Sequence, residues 1–229
     1  MLWKEATVKF NWADPPSRTA FPIAAPGYPY IFTSAFVTFV LALLGLTLPA
    51  LVALAATLGI CAFFRDPDRV IPDDPGSVVS PADGKVIVTD QKATSPFGAE
   101  DCLKVSVFMS VSNVHVNRTP CRSKVVEIDY RPGRFHMAHK DAAVSGNEQN
   151  ALLLETDVQL KVAVVQIAGW VARRIICAVK AGDALAQGQR FGMICFGSRL
   201  DVYLPPGTRL NVKKGDKVAA GTSILGYLP

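Results

Sequence analysis

The pattern of apolar and polar positions divides the chain into two regimes. No residue between Arg18 and Arg65 carries a charge, and residues 30–64 form a nearly unbroken run of Phe, Val, Leu, Ala and Ile. A run with no polar face predicts helix in an apolar medium rather than an amphipathic surface helix. A bilayer core of about 30 Å takes roughly 20 helical residues. Residues 30–47 and 50–64 supply 18 and 15, with Leu48-Pro49 between them. The pattern therefore predicts either one tilted span or a hairpin of two short helices, with a buried soluble hairpin as the alternative. Lys4, Lys9 and Arg18 precede the block, and Arg65 and Arg69 follow it. Positive charge on both flanks suits a hairpin with both ends cytoplasmic. The late start and length do not suit a cleaved signal peptide.

From residue 65 onward the period changes. Pro67, Pro72 and Pro75 stop any helix from continuing. Short β-branched runs then recur at 85–88, 103–108, 124–128, 160–167, 174–179 and 200–204, several of them separated by Gly, Pro or Asp. The expected fold is mainly β (α+β), a compact antiparallel β barrel or sandwich-hybrid domain behind an N-terminal apolar helical membrane segment. The expected boundaries are 1–29 for a polar, Pro-rich segment, 30–64 for the membrane segment and 65–229 for the β domain.

One repeat is visible in the β part. Val179-Lys180-Ala181-Gly182-Asp183-Ala184-Leu185-Ala186-Gln187-Gly188 returns as Val212-Lys213-Lys214-Gly215-Asp216-Lys217-Val218-Ala219-Ala220-Gly221. The shared Lys-x-Gly-Asp-x-apolar-Ala-x-Gly pattern is turn chemistry, with Gly for positive φ and Asp bonding the turn backbone. Paired hairpins of this kind occur in barrel-sandwich hybrids, including biotinyl and lipoyl carriers. Neither copy presents the lysine those carriers modify; Phe196-Gly197-Ser198-Arg199 lies between the copies instead.

Composition narrows the function classes. The net charge of +5 beside an apolar block favours an anionic membrane surface, although it also serves solubility. No Lys/Arg run with interleaved aromatics appears, so no nucleic acid is expected as partner. Cys61, Cys102, Cys121, Cys177 and Cys195 form no CxxC pair, which argues against a disulfide framework or zinc site and for a reducing compartment.

A Gly-Ser pair alone carries no information; its surroundings do. Phe63-Phe64-Arg65-Asp66-Pro67, Ser80-Pro81-Ala82-Asp83-Gly84-Lys85-Val86, Phe108-Met109-Ser110 and Asn113-Val114-His115-Val116-Asn117-Arg118-Thr119-Pro120 occur in that order. Tyr130-Arg131-Pro132-Gly133-Arg134-Phe135, Asn147-Glu148, Gln166-Ile167-Ala168-Gly169-Trp170-Val171-Ala172-Arg173-Arg174 and Phe196-Gly197-Ser198-Arg199 follow. Together these stretches resemble the phosphatidylserine decarboxylases, in particular their short form.

The resemblance implies a proenzyme that cuts itself between Gly197 and Ser198, leaving a 1–197 β chain and a 198–229 α chain that stay associated. Ser198 would become a covalent pyruvoyl group, the only cofactor, with no metal, and its ketone would form a Schiff base with the substrate amine. Gly197 suits the junction because it leaves the carbonyl open and tolerates strain. The family's histidine and carboxylate motifs fall on His115 and Asp83, which would serve Ser198 as base and supporting acid. Some relatives have a second His three positions on, where this chain has Arg118. His136 or His139 could take that second role, or be solvated loop residues. Asp83 is also plausible turn sequence in Ala82-Asp83-Gly84-Lys85.

Arg118 and Arg199 are candidate substrate-binding residues; Arg199 could be a fork donor to phosphate or carboxylate, or a solvent-facing strand residue. Arg173-Arg174 could face the headgroup, but alternation along a strand equally accounts for the pair. Gln149 replaces the arginine of the family's Asn-Glu-Arg. The implied reaction converts phosphatidylserine to phosphatidylethanolamine at the cytoplasmic side of the cell (inner) membrane. An ether-lipid analogue of the substrate reads the same in sequence, and a homo-oligomer is compatible with it. The rival reading is a membrane-anchored biotinyl/lipoyl-like binding or adaptor module without catalysis.

Overall fold

The computed structural model describes residues 9–11, 21–133, 146–169, 174–195 and 198–229, with 9–11 as backbone. The chain divides into a unit of residues 16–68 and a unit of residues 1–15 with 69–229.

The smaller unit is a helical hairpin. A 3-10 turn (Ala25–Gly27) leads into α1 (Tyr28–Leu43), and α2 (Thr47–Phe63) returns. Pro29 sits in the first turn of α1, where no intrahelical N–H is required. The reversal falls at Leu44-Gly45-Leu46 rather than at the expected Leu48-Pro49. Gly45 takes φ +71, and Pro49 is accommodated in the first turn of α2. The base of the hairpin is closed by Ala24 N donating to Phe64 O at 2.8 Å and Asp66 N to Pro22 O at 2.8 Å. Phe64 also stacks on Tyr30, with centroids 5.5 Å apart.

Both helices are apolar all round. No residue of α1 is buried, and Thr57 and Phe63 are the buried residues of α2. Hydroxyls turn inward on the helices: Thr33, Ser34, Thr38 and Thr57 donate to carbonyls three or four residues back. Thr38 and Thr57 hydroxyls meet between the helices at 3.3 Å. Polar groups satisfied this way tolerate an apolar surrounding.

The larger unit is antiparallel throughout. Its strands are β1 (Lys9–Asn11), β2 (Ile71–Asp73), β3 (Ser77–Val79), β4 (Gly84–Ala93), β5 (Cys102–Met109), β6 (Val116–Arg118), β7 (Ser123–Arg131) and β8 (Gln149–Thr156). They continue as β9 (Lys161–Ala168), β10 (Arg174–Cys177), β11 (Ala184–Leu185), β12 (Arg190–Cys195), β13 (Ser198–Leu204), β14 (Arg209–Leu210), β15 (Lys217–Val218) and β16 (Ile224–Tyr227). The central eight-stranded sheet runs β11-β7-β8-β9-β13-β5-β4-β15, beside three-stranded sheets β10-β12-β6 and β14-β16-β3. β1 pairs with β2 through Lys9–Asp73, Phe10–Pro72 and Asn11–Ile71. The predicted strands are present, and β8 is one that the β-branched runs did not mark. Its Ala151-Leu152-Leu153-Leu154 has little β-branching, but pairing with β7 and β9 holds it extended.

The repeat is the visible part of a duplication. Val125 N donates to Asp183 O and Val86 N to Asp216 O, each at 2.9 Å; Gly182 N donates to Val125 O and Gly215 N to Val86 O, each at 2.8 Å. Asp183 and Asp216 both accept from the backbone N–H three residues earlier, at 2.9 Å. Val79 N bonds Pro120 O, and Arg118 N bonds Pro81 O in mirror fashion. The turns Ser80-Pro81-Ala82-Asp83-Gly84-Lys85-Val86 and Thr119-Pro120-Cys121-Arg122-Ser123-Lys124-Val125 are therefore sister segments.

The two halves differ in one respect that places Ser198. β8 turns directly into β9, with Thr156 N bonding Leu160 O at 2.9 Å. The matching strands of the sister half are β5 and β13, where Met109 stands opposite Ser198. That hairpin is open, and residues 110–197 are inserted at its tip. The main core lies inside the curled sheet and includes Val86, Val107, Met109, Val125, Leu154, Val164, Leu200 and Val202.

Candidate active site

Ser198 is the first residue of β13 and is fully buried. β13 is flanked by β5 and β9, so its whole length lies within the sheet. Alternation sends Ser198, Leu200, Val202 and Leu204 to one face and Arg199, Asp201 and Tyr203 to the other. On the first face Ser198 Oγ lies 3.9 Å from Met109 Sδ, a weak acceptor.

His115 is held at the same end of β5. After Met109 the chain turns: Asn113 Oδ1 accepts from Ser110 N at 2.9 Å and from Ser110 Oγ at 2.7 Å. Asn113 O lies 2.9 Å from His115 Nδ1, and the imidazole is fully buried. A carbonyl can only accept, so Nδ1 carries the proton and Nε2 is the basic nitrogen of the neutral ring. The turn thus fixes both the tautomer and the ring orientation.

A line of buried amides approaches from the sheet interior. Asn150 Nδ2 donates to Gln166 Oε1 at 2.9 Å, and Gln166 Nε2 donates to Asn117 Oδ1 at 2.9 Å. Asn117 Nδ2 then points to Met109 Sδ at 3.7 Å, the same sulfur that faces Ser198. Gly192, opposite Asn117 in register, leaves room: a Cβ there would lie 3.1 Å from Gln166 Nε2 and would strike the Ile176 carbonyl.

Asp83 occupies the outer edge of its turn. Its carboxylate takes Arg69 Nη2 at 2.9 and 3.2 Å and the Ala220 backbone N–H at 2.7 Å. The sister turn has Arg122 at this place, so the turn itself does not require an aspartate. Arg118 is buried, with Nη1 donating to Gly188 O at 3.0 Å. Arg199 is not the solvent-facing strand residue of one expectation. It is 1% exposed on the face opposite Ser198, with Nε 2.6 Å from Asp201 Oδ1 and Nη2 2.9 Å from Ser106 Oγ. Lys104 Nζ lies 3.0 Å from Asp201 Oδ2, near enough for an ion pair but off the line of a hydrogen bond. Burial pulls the Lys104 ammonium down, but the Asp201 charge and Tyr203 outweigh it and leave its pKa raised.

Asn147 Nδ2 donates to Ala168 O at 2.6 Å, bracing the residue opposite Ser198 on β9. Gly197, His136, His139 and Arg173 lie outside the described residues. The described residues contain no group of three or more His, Cys, Asp or Glu able to hold a metal.

Met109, Asn117, Gln166 and Asn150 were not singled out from the sequence. Gln166 carried a usable signal: a lone amide amid Val164, Val165, Ile167 and Ala168 needs buried partners. Asn117 lay within a quoted motif, but only the fold shows that it faces the Ser198 side.

Comparison with known proteins agrees with this arrangement. The family model for phosphatidylserine decarboxylase matches residues 57–226. The phosphatidylserine decarboxylase proenzyme of Geotalea uraniireducens (strain Rf4) is 50% identical over 208 residues, covering 91% of this chain and 97% of that protein. Those of Desulfotalea psychrophila (strain LSv54 / DSM 12343) and Syntrophus aciditrophicus (strain SB) are 45% and 46% identical over 207 and 205 residues, covering 90% and 89% of this chain and 97% and 96% of theirs. A match that runs through both halves of the duplicated sheet and across Ser198 leaves one assignment: the chain belongs to the phosphatidylserine decarboxylase family.

Proposed function

We propose that this chain is a self-processing phosphatidylserine decarboxylase whose Gly197–Ser198 bond breaks to create its own cofactor. The observation that carries the reading is Ser198 fully buried at the open tip of the β5–β13 hairpin, where the inserted half returns. Ser198 Oγ adds to the Gly197 carbonyl carbon, the C–N bond breaks, and an ester replaces the peptide. Removal of the Ser198 α-proton then breaks the Cβ–Oγ bond and releases residues 1–197 as a carboxylate. The dehydroalanine left behind exchanges its nitrogen for the oxygen of water and loses ammonia, which yields the pyruvoyl group.

The surroundings of Ser198 suit such a group: Ser198 and the line of buried amides meet at Met109 Sδ, and Ser198 and His115 are both fully buried. When present, the pyruvoyl ketone is the electron sink for the pair of electrons left as carbon dioxide departs. His115, with Nδ1 tied to Asn113 O, offers Nε2 as the base of processing. Asp83 acts as a positioning residue, since its carboxylate joins Arg69 to Ala220 and so bridges the 1–197 and 198–229 segments. β13, β15 and β16 pair with β5, β9, β4 and β3, which would keep the two products associated.

Residues 25–43 form one helix run of 19 residues, long and apolar enough to cross a membrane, and 47–63 are a shorter apolar helix. With the basic flanks, this supports a hairpin anchored in the inner membrane from the cytoplasmic side, where a phospholipid headgroup meets the enzyme.

Intact-mass analysis of the purified chain tests the reading. Pieces of 197 and 32 residues are expected, the smaller one with a blocked N-terminus carrying a ketone. Ser198→Ala should remain one chain without activity, and His115→Ala should process at least 10-fold more slowly, within the span of a general base. An active preparation consisting of one intact chain with an ordinary Ser198 would sink the proposal.

A further inference from the structure

Three amides in an apolar core need a reason. Asn117 and Gln166 are fully buried and Asn150 is nearly so. A buried amide left short of partners is costly to the fold. Asn150 and Gln166 each donate to a good oxygen acceptor. The line then ends on a thioether: among the described residues, Met109 Sδ is the acceptor of Asn117 Nδ2. An amide donor as good as the others therefore meets the weakest acceptor of the line, on the sulfur that Ser198 Oγ also faces.

The order of the amides fixes their direction. Gln166 Nε2 donates to Asn117 Oδ1, so the NH2 end of Asn117 has to point away from Gln166, toward the Met109 sulfur that Ser198 Oγ also contacts. The absence of a side chain at Gly192 keeps the space that Gln166 occupies.

From this geometry we infer that Asn117 is the hydrogen-bond donor to the Ser198 oxygen as it departs during processing, held in direction by Gln166 and Asn150. The inference rests on the processing reading above. In the ester, Oγ is bonded to Ser198 Cβ and to the Gly197 carbonyl carbon. As a base takes the α-proton, its electron pair forms the Cα=Cβ bond, and the Cβ–Oγ bond breaks. Oγ leaves with the bonding electrons as one oxygen of the Gly197 carboxylate. Charge develops on the atom that shares the Met109 contact with Asn117 Nδ2, and an amide N–H that turns from that sulfur to Oγ favours the departing form. The preceding N-to-O shift leaves Oγ without this charge, so Asn117 contributes chiefly to the elimination.

Stage-resolved processing of the full chain provides the test. Hydroxylamine splits an ester but not the original peptide bond, so it separates stalled ester from unprocessed chain. Asn117→Ala and the isosteric Asn117→Asp should slow release of the 198–229 piece by about 10-fold or more, the scale of a lost oxyanion donor, and accumulate a hydroxylamine-labile fraction. Gln166→Met, which keeps volume but frees Asn117, should accumulate the same fraction to a smaller extent, and it serves as the reporter where the Asn117 variants do not fold. Folded variants that process at the wild-type rate would overturn the inference. So would folded variants that stall without a hydroxylamine-labile fraction, because that is the mark of a merely structural amide. A wild-type chain that never splits would instead count against the processing reading itself.

Discussion

Arg199 shows how alternation along one strand separates chemistry from support. It follows Ser198 directly, yet its guanidinium lies on the opposite face of β13 with Asp201 and Ser106. Asp201 and Arg199 are almost completely buried, so each compensates a charge that water cannot reach. Arg199→Met should cost about 3–5 kcal/mol, because it leaves Asp201 with Lys104 as its remaining cation. The double variant Arg199→Met/Asp201→Leu should recover most of that loss, as paired removal of buried charges often does. Urea midpoints of the three proteins check this, and a double variant no better than the single would refute it. Because this pair is remote from the Ser198 face, the double variant should still split into two pieces.

At the scale of elements, the duplication makes a quantitative claim. Asp183 and Asp216 make the same backbone bond at the same distance in sister turns. Asp183→Ala and Asp216→Ala should therefore cost similar amounts, about 1 kcal/mol each. The turns share no partner, so the costs should add in the double variant. Thermal unfolding of both singles and the double tests it; a strongly unequal or non-additive result would mean that the halves are not mechanically equivalent. The helical hairpin makes a claim of a different kind. Phe36 is exposed on α1, so Phe36→Arg places a charge where lipid is expected, at a cost of about 2.5–3.5 kcal/mol at mid-bilayer. Fractionation should show the variant shifted from the membrane toward the soluble fraction, whereas unchanged partition would argue for a hairpin that does not enter lipid.

Over the whole molecule, burial has a pH consequence. Burial pushes the Cys121 thiol up to about 12 from its ordinary value of 9.0, and burial also raises Cys102 and Cys195. Above pH 9 the unfolded chain ionises Cys121 while the folded one retains its proton, so stability falls as pH rises from 9 toward 12. The raised Lys104 acts in the same direction, since its ion-pair contribution holds below 10.5 and is lost as pH climbs past it. Denaturant unfolding at pH 8 and pH 10.5 should show a clear drop, and Cys121→Ala should flatten the dependence. An equal slope in Cys121→Ala would assign the loss to other groups.

Much of this protein is legible from residue order alone. Apolar residues 30–64 admit little besides apolar helix, because no polar face exists to meet water. Proline and β-branching after residue 65 announce short antiparallel strands, and the Lys-x-Gly-Asp copies announce matched turns. The proposed Gly197-Ser198 junction and the proposed base His115 are both suggested by motifs, since each motif is local in sequence. What residue order could not decide depends on register and insertion. β8 is a strand because β7 and β9 hold it there, against a leucine-rich composition. The hairpin reverses at Gly45 rather than beside Pro49, because a first helical turn accepts proline and a reversal needs positive φ. Arg199 is buried in an ion pair rather than turned to solvent, because this strand inside the sheet has two buried faces and consecutive residues occupy different ones. Gln166 is far from Asn117 and Met109 in sequence, and only the fold, by bringing residues of β9, β6 and β5 together at the open tip of a duplicated hairpin, lets Gln166 bond Asn117 and Asn117 reach the sulfur that Ser198 faces.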